Sequence, residues 1–328
     1  MRTIDDRLVD AIRPLARAHR PPAPDDPRFA AYVAVTAGLD PGRAEALIRW
    51  AIAEALRRPR RFWGIMLPTR SSPLVPWLDL VNGDGYRRER ALETIEWSAP
   101  SMVLAAMLIR RLNDWVPQVQ VAAQAAVPRV AAASPPETIV AALMALLPHR
   151  AAWGRITQES QGALDRAIGI PSVTGVLTER LLAATTGPAA LILTQAARRP
   201  SLDAALPRLA RDARQPQLRA EATRILLAGE VRWRVGHGWE WIDKVYNERR
   251  RVPRFATRPL ANPPDRLALL GEAAADRAVA VRRVAADTLI THRHALGDAG
   301  TALATRLAAD PSRPVAERGR FVLDRRGG

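Results

Sequence analysis

Ala275-Asp-Arg-Ala-Val-Ala-Val-Arg-Arg-Val-Ala-Ala-Asp-Thr-Leu-Ile290 is the stretch against which the rest of the chain is read. Val281, Val284, Ala285, Thr288 and Leu289 fall at i, i+3, i+4, i+7 and i+8, one stripe of an α-helix, while Arg282, Arg283 and Asp287 take the other face. Asp276 precedes the first apolar position of the stripe by five residues. The order Asp, gap, apolar residue, three residues, small residue returns in Asp310-Pro-Ser-Arg-Pro-Val315, where the small residue is Gly319, 34 residues after Ala285. Asp212 leads into Leu218 and Ala222, and Asp114 into Val119 and Ala123. Ala123 and Ala222 are 99 residues apart, three steps of about 33. Gly83-Asp84-Gly85-Tyr86-Arg87 leads to Ala91, 32 residues before Ala123. Such a period predicts an array of helical repeats.

Three copies place a proline just ahead of the first apolar residue: Pro117 before Val119, Pro216 before Leu218 and Pro314 before Val315. Proline suits the first helical turn, where its missing N–H has no intrahelical partner and its fixed φ is already helical. Each therefore marks the start of a second helix, preceded by a shorter apolar one such as Ser101 to Leu112, with Asn113-Asp114 as the turn. Helix, Asp-containing turn, then a helix opening (Pro)-x-Val-Arg-x-x-Ala resembles the HEAT repeat. The Arg of that pattern is present as Arg219 and Arg282, and its slot holds Gln120 and Ala316 in two other copies. The resemblance spans about four units and implies an all-α, HEAT-like α-solenoid, an architecture whose members bind proteins, nucleic acids and lipids alike.

Composition agrees with an all-α reading, because alanine, leucine and arginine dominate and no segment has the valine- and threonine-rich alternation of strands. There is no cysteine, which excludes disulfides and thiolate-ligated metals. Met1 to Asp6 carries two acids where a signal peptide places basic residues, and the apolar runs near Met102 to Ile109 and Ile139 to Leu147 are too short for a membrane span. A soluble, cytoplasmic monomer without cofactor or metal is the expectation. The net charge of +16, nearly all arginine since Lys244 is the only lysine, attracts polyanions: nucleic acid, an anionic membrane surface or an acidic protein patch. Arginine-rich coding explains part of the arginine content but not its excess over acids.

The chain is expected to form one solenoid domain, residues 1–328, with a helical cap over 1–62, repeats over 63–230, an insertion over 231–264 and further repeats over 265–328. The cap predicts helices near Asp5–His19, Pro27–Ala37 and Gly42–Arg58, with Pro21-Pro22-Ala23-Pro24 as a stiff connector. Arg57-Arg58-Pro59-Arg60-Arg61-Phe62-Trp63 is either a basic helix end with inward aromatics or a phosphate- and base-binding patch. Trp77, Trp97 and Trp115 are assigned to packing between repeats, and two helix pairs are expected between Ser134 and Leu209.

The array is interrupted between Ala222 and Ala285. Val231 to Leu260 holds Trp233, Trp239, Trp241, Tyr246 and Phe255 with eight basic residues, among them Arg258, against Glu240, Asp243 and Glu248. Basic residues interleaved with aromatics suit a polyanion, with arginine neutralising phosphate while rings stack. The alternative is a capping insertion that covers an apolar repeat edge. The partner-binding set is Arg232, Arg234, Trp239, Trp241, Lys244, Arg249, Arg250, Arg251 and Arg254, entered through a flexible turn at Gly236-His237-Gly238. The partner is an acidic protein or a nucleic acid, met through a basic concave face and this insertion.

No phosphate-cradling glycine loop, HExxH or GxSxG is present, and His292 and His294, two apart on a helix, point in different directions. Trp239-x-x-x-Asp243, placed on adjacent turns of one helix, is similar to an element of the HEAT-like alkylpurine DNA glycosylases. That resemblance implies a catalytic Asp243, with Trp239 and Trp241 against the lesion and one of Arg249 to Arg251 on phosphate. The leading expectation is a non-enzymatic recognition or scaffold module, with base excision as the alternative.

Overall fold

The computed structural model describes residues 3–18, 22–23, 25–57 and 74–325. Residues 58–63 of the arginine and aromatic run, and Pro21 and Pro24 of the connector, lie outside them. The chain divides into two compact units, Met1–Val173 and Thr174–Gly328.

In the first unit α1 (Ile4–Ala16), α2 (Pro27–Ala37) and α3 (Pro41–Leu56) form the N-terminal group. α1 opens with a capping box in which Thr3 and Asp6 satisfy each other's backbone N–H, and Asp26 and Asp40 cap α2 and α3 just ahead of a proline. Then come α4 (Pro76–Asp79), α5 (Gly85–Thr94), α6 (Met102–Arg110), α7 (Pro117–Ala133), α8 (Pro136–Leu146) and α9 (Gln158–Ile168). From α5 onward each helix packs on the next but one: α5 on α7, α7 on α9, and α6 on α8. α6 is buried along nearly its whole length, which its run Met-Val-Leu-Ala-Ala-Met-Leu-Ile demands. α10 (Pro171–Ala183) carries the chain into the second unit. The stretch from Ser134 to Leu209 thus yields five helices rather than two pairs, the last being α11 (Ala189–Ala196) and α12 (Leu206–Asp212).

The second unit continues with α13 (Pro216–Ala228), strands β1 (Glu230–Asp243) and β2 (Glu248–Pro259), α14 (Arg266–Ala274), α15 (Val279–Thr291), α16 (Gly297–Ala308) and α17 (Arg313–Asp324). α11, α13, α15 and α17 pack in sequence, and α14 packs on α16. The small positions of the repeat pattern lie where helices meet: Ala91, Ala123, Ala222 and Ala285 are buried. A Cβ added at Gly319 would stand 2.3 Å from the Ala308 backbone nitrogen, so the α16–α17 crossing needs glycine there. The molecule is mainly α-helical, and no helix among the described residues is long and apolar enough to cross a membrane.

One arrangement recurs across both units. Arg88 of α5 donates from Nε and Nη2 to the Asp114 carboxylate (3.1 and 2.8 Å), and from Nη1 to the carbonyls of Asn82 and Gly83. Arg219 of α13 does the same with Asp276 and the carbonyls of Ala213 and Arg214. Arg282 of α15 repeats it with Asp310 and the carbonyls of Asp276 and Arg277. Each arginine therefore closes its own turn through the carbonyls five and six residues back, and grips the aspartate of a later turn. Gln120 fills the slot in α7 with a neutral version, its Nε2 donating to Asp114 O (2.6 Å) and Arg155 O (2.9 Å). The turn aspartates also close an Asx turn just ahead of the next helix, Asp114 accepting from Val116 N–H and Asp276 from Ala278 N–H.

The sequence reading is corrected at three points. Asp212 is not the turn aspartate of its copy, since the matching position is Ala213, and Asp212 instead lies beside Arg211 on the surface. Trp115 is 64% exposed rather than packed between repeats, and the Arg88 guanidinium lies 5.5 Å from its ring centroid. Third, the chain is mainly α as expected, but its insertion forms a two-stranded β-hairpin, Glu230–Asp243 with Glu248–Pro259, where no strand was expected.

Candidate functional site

The hairpin begins at Gly229, whose φ of 70° ends α13 in the left-handed region that glycine tolerates. The Leu260 N–H donates to the Gly229 carbonyl at 2.8 Å, so the insertion enters and leaves at one point. β1 and β2 run antiparallel, with a bulge between Arg234 and Gly236 and another between Trp241 and Asp243. Gly236-His237-Gly238 is therefore mid-strand rather than an entry turn, and the real turn spans Lys244 to Asn247, with Asn247 at φ 54°. Gly238 lies beneath Arg254, whose Nε would be 3.0 Å from an added Cβ.

Strand alternation sorts the side chains by face, because directly paired residues share a side. One face holds Val231 and Arg258, Trp233 and Ala256, Gly238 and Val252, Glu240 and Arg250, then Asp243 and Glu248. Its base is anchored on the helices: Val231 is fully buried, the Arg198 guanidinium lies 5.7 Å from the Trp233 ring centroid, and Arg258 bonds the carbonyls of Ala197 and Arg199 and the Asp203 carboxylate. The opposite face holds Arg232 and Thr257, Arg234 and Phe255, His237 and Pro253, Trp239 and Arg251, Trp241 and Arg249, all exposed.

All three acids of Val231 to Leu260 thus lie on the first face, and the second, from Arg232 to Arg251, has none. Arg249 lies over both Trp239 and Trp241, at 5.2 and 5.7 Å from their ring centroids, and Arg232 lies 4.1 Å from that of Phe255. Exposed contacts of this kind are worth about 0.5–1 kcal/mol, little enough for a ligand to displace them. The hairpin's ion pairs among the described residues are Arg250–Glu240 and Arg258–Asp203, both from the first face. Arg234 contacts His237, whose imidazole pKa is pulled below its ordinary value by desolvation and then by the charges of Arg234 and Arg251.

The predicted site residues fall into three groups. Arg232, Arg234, Trp239, Trp241, Arg249 and Arg251 are brought together on one face. Arg250 and Arg254 are not part of it, since Arg250 is paired with Glu240 and Arg254 crosses Gly238. Lys244 sits in the turn. Trp239 and Asp243 are on a strand, which overturns their placement on adjacent turns of one helix. The Asp243 carboxylate accepts from the N–H groups of Val245 (2.7 Å) and Tyr246 (3.2 Å), so it caps the hairpin turn. Phe255 and His237 join the arginine face without having been singled out for it, and pairing register is the only signal that finds them.

Elsewhere in the second unit α12, α13, α14 and α15 border an open groove of about 330 Å³ with Leu226, Leu269 and Ala273 among its apolar lining and Asp265 and Glu272 among its acids. It gathers no convergent set of chemical groups comparable to the hairpin face. Among the described residues no group of three or more His, Asp or Glu side chains is placed to hold a metal ion. No protein-family model matches this chain, and no curated protein matches it.

Proposed function

We propose that this chain is a non-enzymatic recognition module: a HEAT-like helical-repeat scaffold that holds out a basic, aromatic β-hairpin as its binding arm for a polyanion. The scaffold half of this reading is supported by the packing of alternate helices and by the arginine that ties its own turn to a later one at Arg88, Arg219 and Arg282. A unit of this kind cannot bury its apolar stripe alone and gains stability from its neighbours. The binding half rests on one observation: Arg232, Arg234, Arg249 and Arg251 share an exposed face with Trp239, Trp241 and Phe255, and the only acid of the two strands on that side is the half-buried Glu230 at its base. In this reading the partner meets the hairpin face rather than a concave face of the helices. An acidic protein surface has no comparable support, because planar, exposed aromatics between guanidinium groups suit phosphate-bearing surfaces. Base excision through Asp243 is the weaker alternative, since its carboxylate is engaged by the turn and its element is a strand.

A salt series with single-stranded DNA as the polyanion probe tests the proposal. Binding should weaken linearly on a log–log plot as salt rises. Absence of binding to single-stranded DNA and to anionic vesicles alike at low salt would remove the polyanion reading, and release of alkylated bases would favour the excision alternative.

A further inference from the structure

We infer that the polyanion met by the hairpin is an anionic phospholipid surface, which the arginine and tryptophan face contacts and the tip enters; this rests on the polyanion reading above. The argument starts from side chains that phosphate binding leaves unexplained. Ile242 is 63% exposed, Val245 87% and Tyr246 77%, and all three lie at or beside the turn. A polynucleotide offers phosphates to arginine and stacking faces to tryptophan, but gives aliphatic side chains nothing to bury against. A bilayer interface accommodates all three classes at once. Aliphatic groups enter the acyl boundary, Trp and Tyr settle at headgroup level, and arginine meets lipid phosphate.

From the tip, Val245 and Tyr246 sit in the turn beside Lys244, whose aliphatic stem lets its charge reach the headgroups, and Ile242 bulges out just below them. Trp241 and Trp239 follow, flanked by Arg249 and Arg251, and then Arg234 and Arg232 toward the base. The acids do not oppose this. Glu240, Asp243 and Glu248 lie on the other face, Glu240 is paired with Arg250, and the Asp243 carboxylate is turned to the backbone N–H groups of the turn. Depth is limited by the backbone, because a two-stranded sheet has two open edges whose N–H and C=O groups cannot be left unpaired in hydrocarbon. The finger therefore lies in the hydrated headgroup layer and commits only its tip side chains to the acyl boundary.

Flotation of the full chain with phosphatidylcholine vesicles, with and without phosphatidylglycerol, tests this. The probes are the parent protein, I242S/V245S/Y246S and R249Q/R251Q, with circular dichroism to show that each keeps its helices. The parent should float with phosphatidylglycerol vesicles and not with phosphatidylcholine alone, and lipids brominated near the headgroup should quench its tryptophan fluorescence. The tip variant should lose about tenfold in partitioning, and the arginine variant should lose the dependence on phosphatidylglycerol. If the parent binds single-stranded DNA with the salt dependence above but ignores phosphatidylglycerol vesicles, the membrane inference fails and the polyanion reading stands. Vesicle binding that the tip variant retains undiminished would also overturn it. Binding to neither probe would end both.

Discussion

Arg219 and Asp276 lie 57 residues apart in sequence, yet they are joined by a two-pronged ion pair at 3.2 and 3.1 Å. The equivalent pair Arg282–Asp310 spans 28 residues and Arg88–Asp114 spans 26. The excess at Arg219 is close to the length of the hairpin, Glu230 to Pro259, which enters and leaves beside Gly229. α13 accordingly packs on α15 as α15 packs on α17. The hairpin is therefore an insertion into one helix-to-helix connection, and the packing order of the helices around it is kept.

The pair itself should be a main support of that junction. Arg219 is 2% exposed, and replacing it with Met leaves the Asp276 carboxylate without its countercharge and the Ala213 and Arg214 carbonyls without a donor. Arg219→Met should cost about 3 kcal/mol in chemical denaturation, as expected when one partner of a largely buried pair is removed. Arg13→Met, which breaks the exposed Arg13–Asp10 pair, should change stability by less than about 1 kcal/mol. Equal effects would mean that the ladder of arginines is decorative.

Excision of Glu230 to Pro259, with Gly229 linked to Leu260 through a short glycine–serine turn, should leave a helical spectrum with a cooperative melt. The ends already meet through the Leu260 to Gly229 hydrogen bond, so closing the gap imposes little strain. Loss of the Arg258 contacts to Asp203, Ala197 and Arg199 should lower stability by about 1–2 kcal/mol. Collapse of the second unit would show instead that the hairpin is structural cover, and polyanion binding that survives excision would move the site elsewhere.

The helices were legible because their signal is burial. The stripe Val281, Val284, Ala285, Leu289 is apolar since it faces other helices, and Pro117 and Pro216 stand where α7 and α13 begin. The hairpin was illegible for the same reason. Beyond Val231 and Trp233 it has no buried face, so its alternation is written in Arg, Trp and Glu rather than in valine and threonine. Its turn, Lys244 to Asn247, has no glycine, and the two glycines that resemble a turn sit inside β1. The composition of the site was therefore readable while its geometry was not, since only pairing register tells that Arg249 and Arg251 share a side and Arg250 does not.

Acid should unfold the protein through its aspartates. The Asp310 carboxyl is held below the ordinary carboxylate value by the hydrogen bond from Arg282, which outweighs its desolvation, with help from the Ser312 N–H. Burial pulls Asp114 upward, but the bonds from Arg88 and the Val116 N–H and the charges of Arg111 and Arg88 outweigh it, and its pKa too is lowered. Groups with a depressed folded pKa bind fewer protons folded than unfolded, so their stabilisation is complete above the unfolded value of about 4 and is lost as pH falls through the folded one. Urea midpoints should be insensitive to these two groups above about pH 5 and should fall below about pH 4. Asp114→Asn and Asp310→Asn should each flatten that acid limb while lowering stability at neutral pH.

The three consecutive arginines of β2 alternate between the two faces of the hairpin. Arg249 and Arg251 flank Trp239 and Trp241 on the exposed face, whereas Arg250 is paired with Glu240 on the other at 2.7 Å. If all three merely raised the net charge, Arg250→Gln would weaken binding to single-stranded DNA as much as either neighbour does. The face assignment predicts a split. Arg249→Gln and Arg251→Gln together should reduce the log–log salt slope by about 1.4, two phosphates at roughly 0.7 each. Arg250→Gln should leave the slope nearly unchanged, since the charge it removes was already offset by Glu240. Melting temperatures should be close to that of the parent in every case, because these side chains are exposed and such charges contribute little to stability. Equal loss from all three single variants would show that register on β2 does not govern recognition, and the hairpin would then act as a diffuse charge rather than as a face.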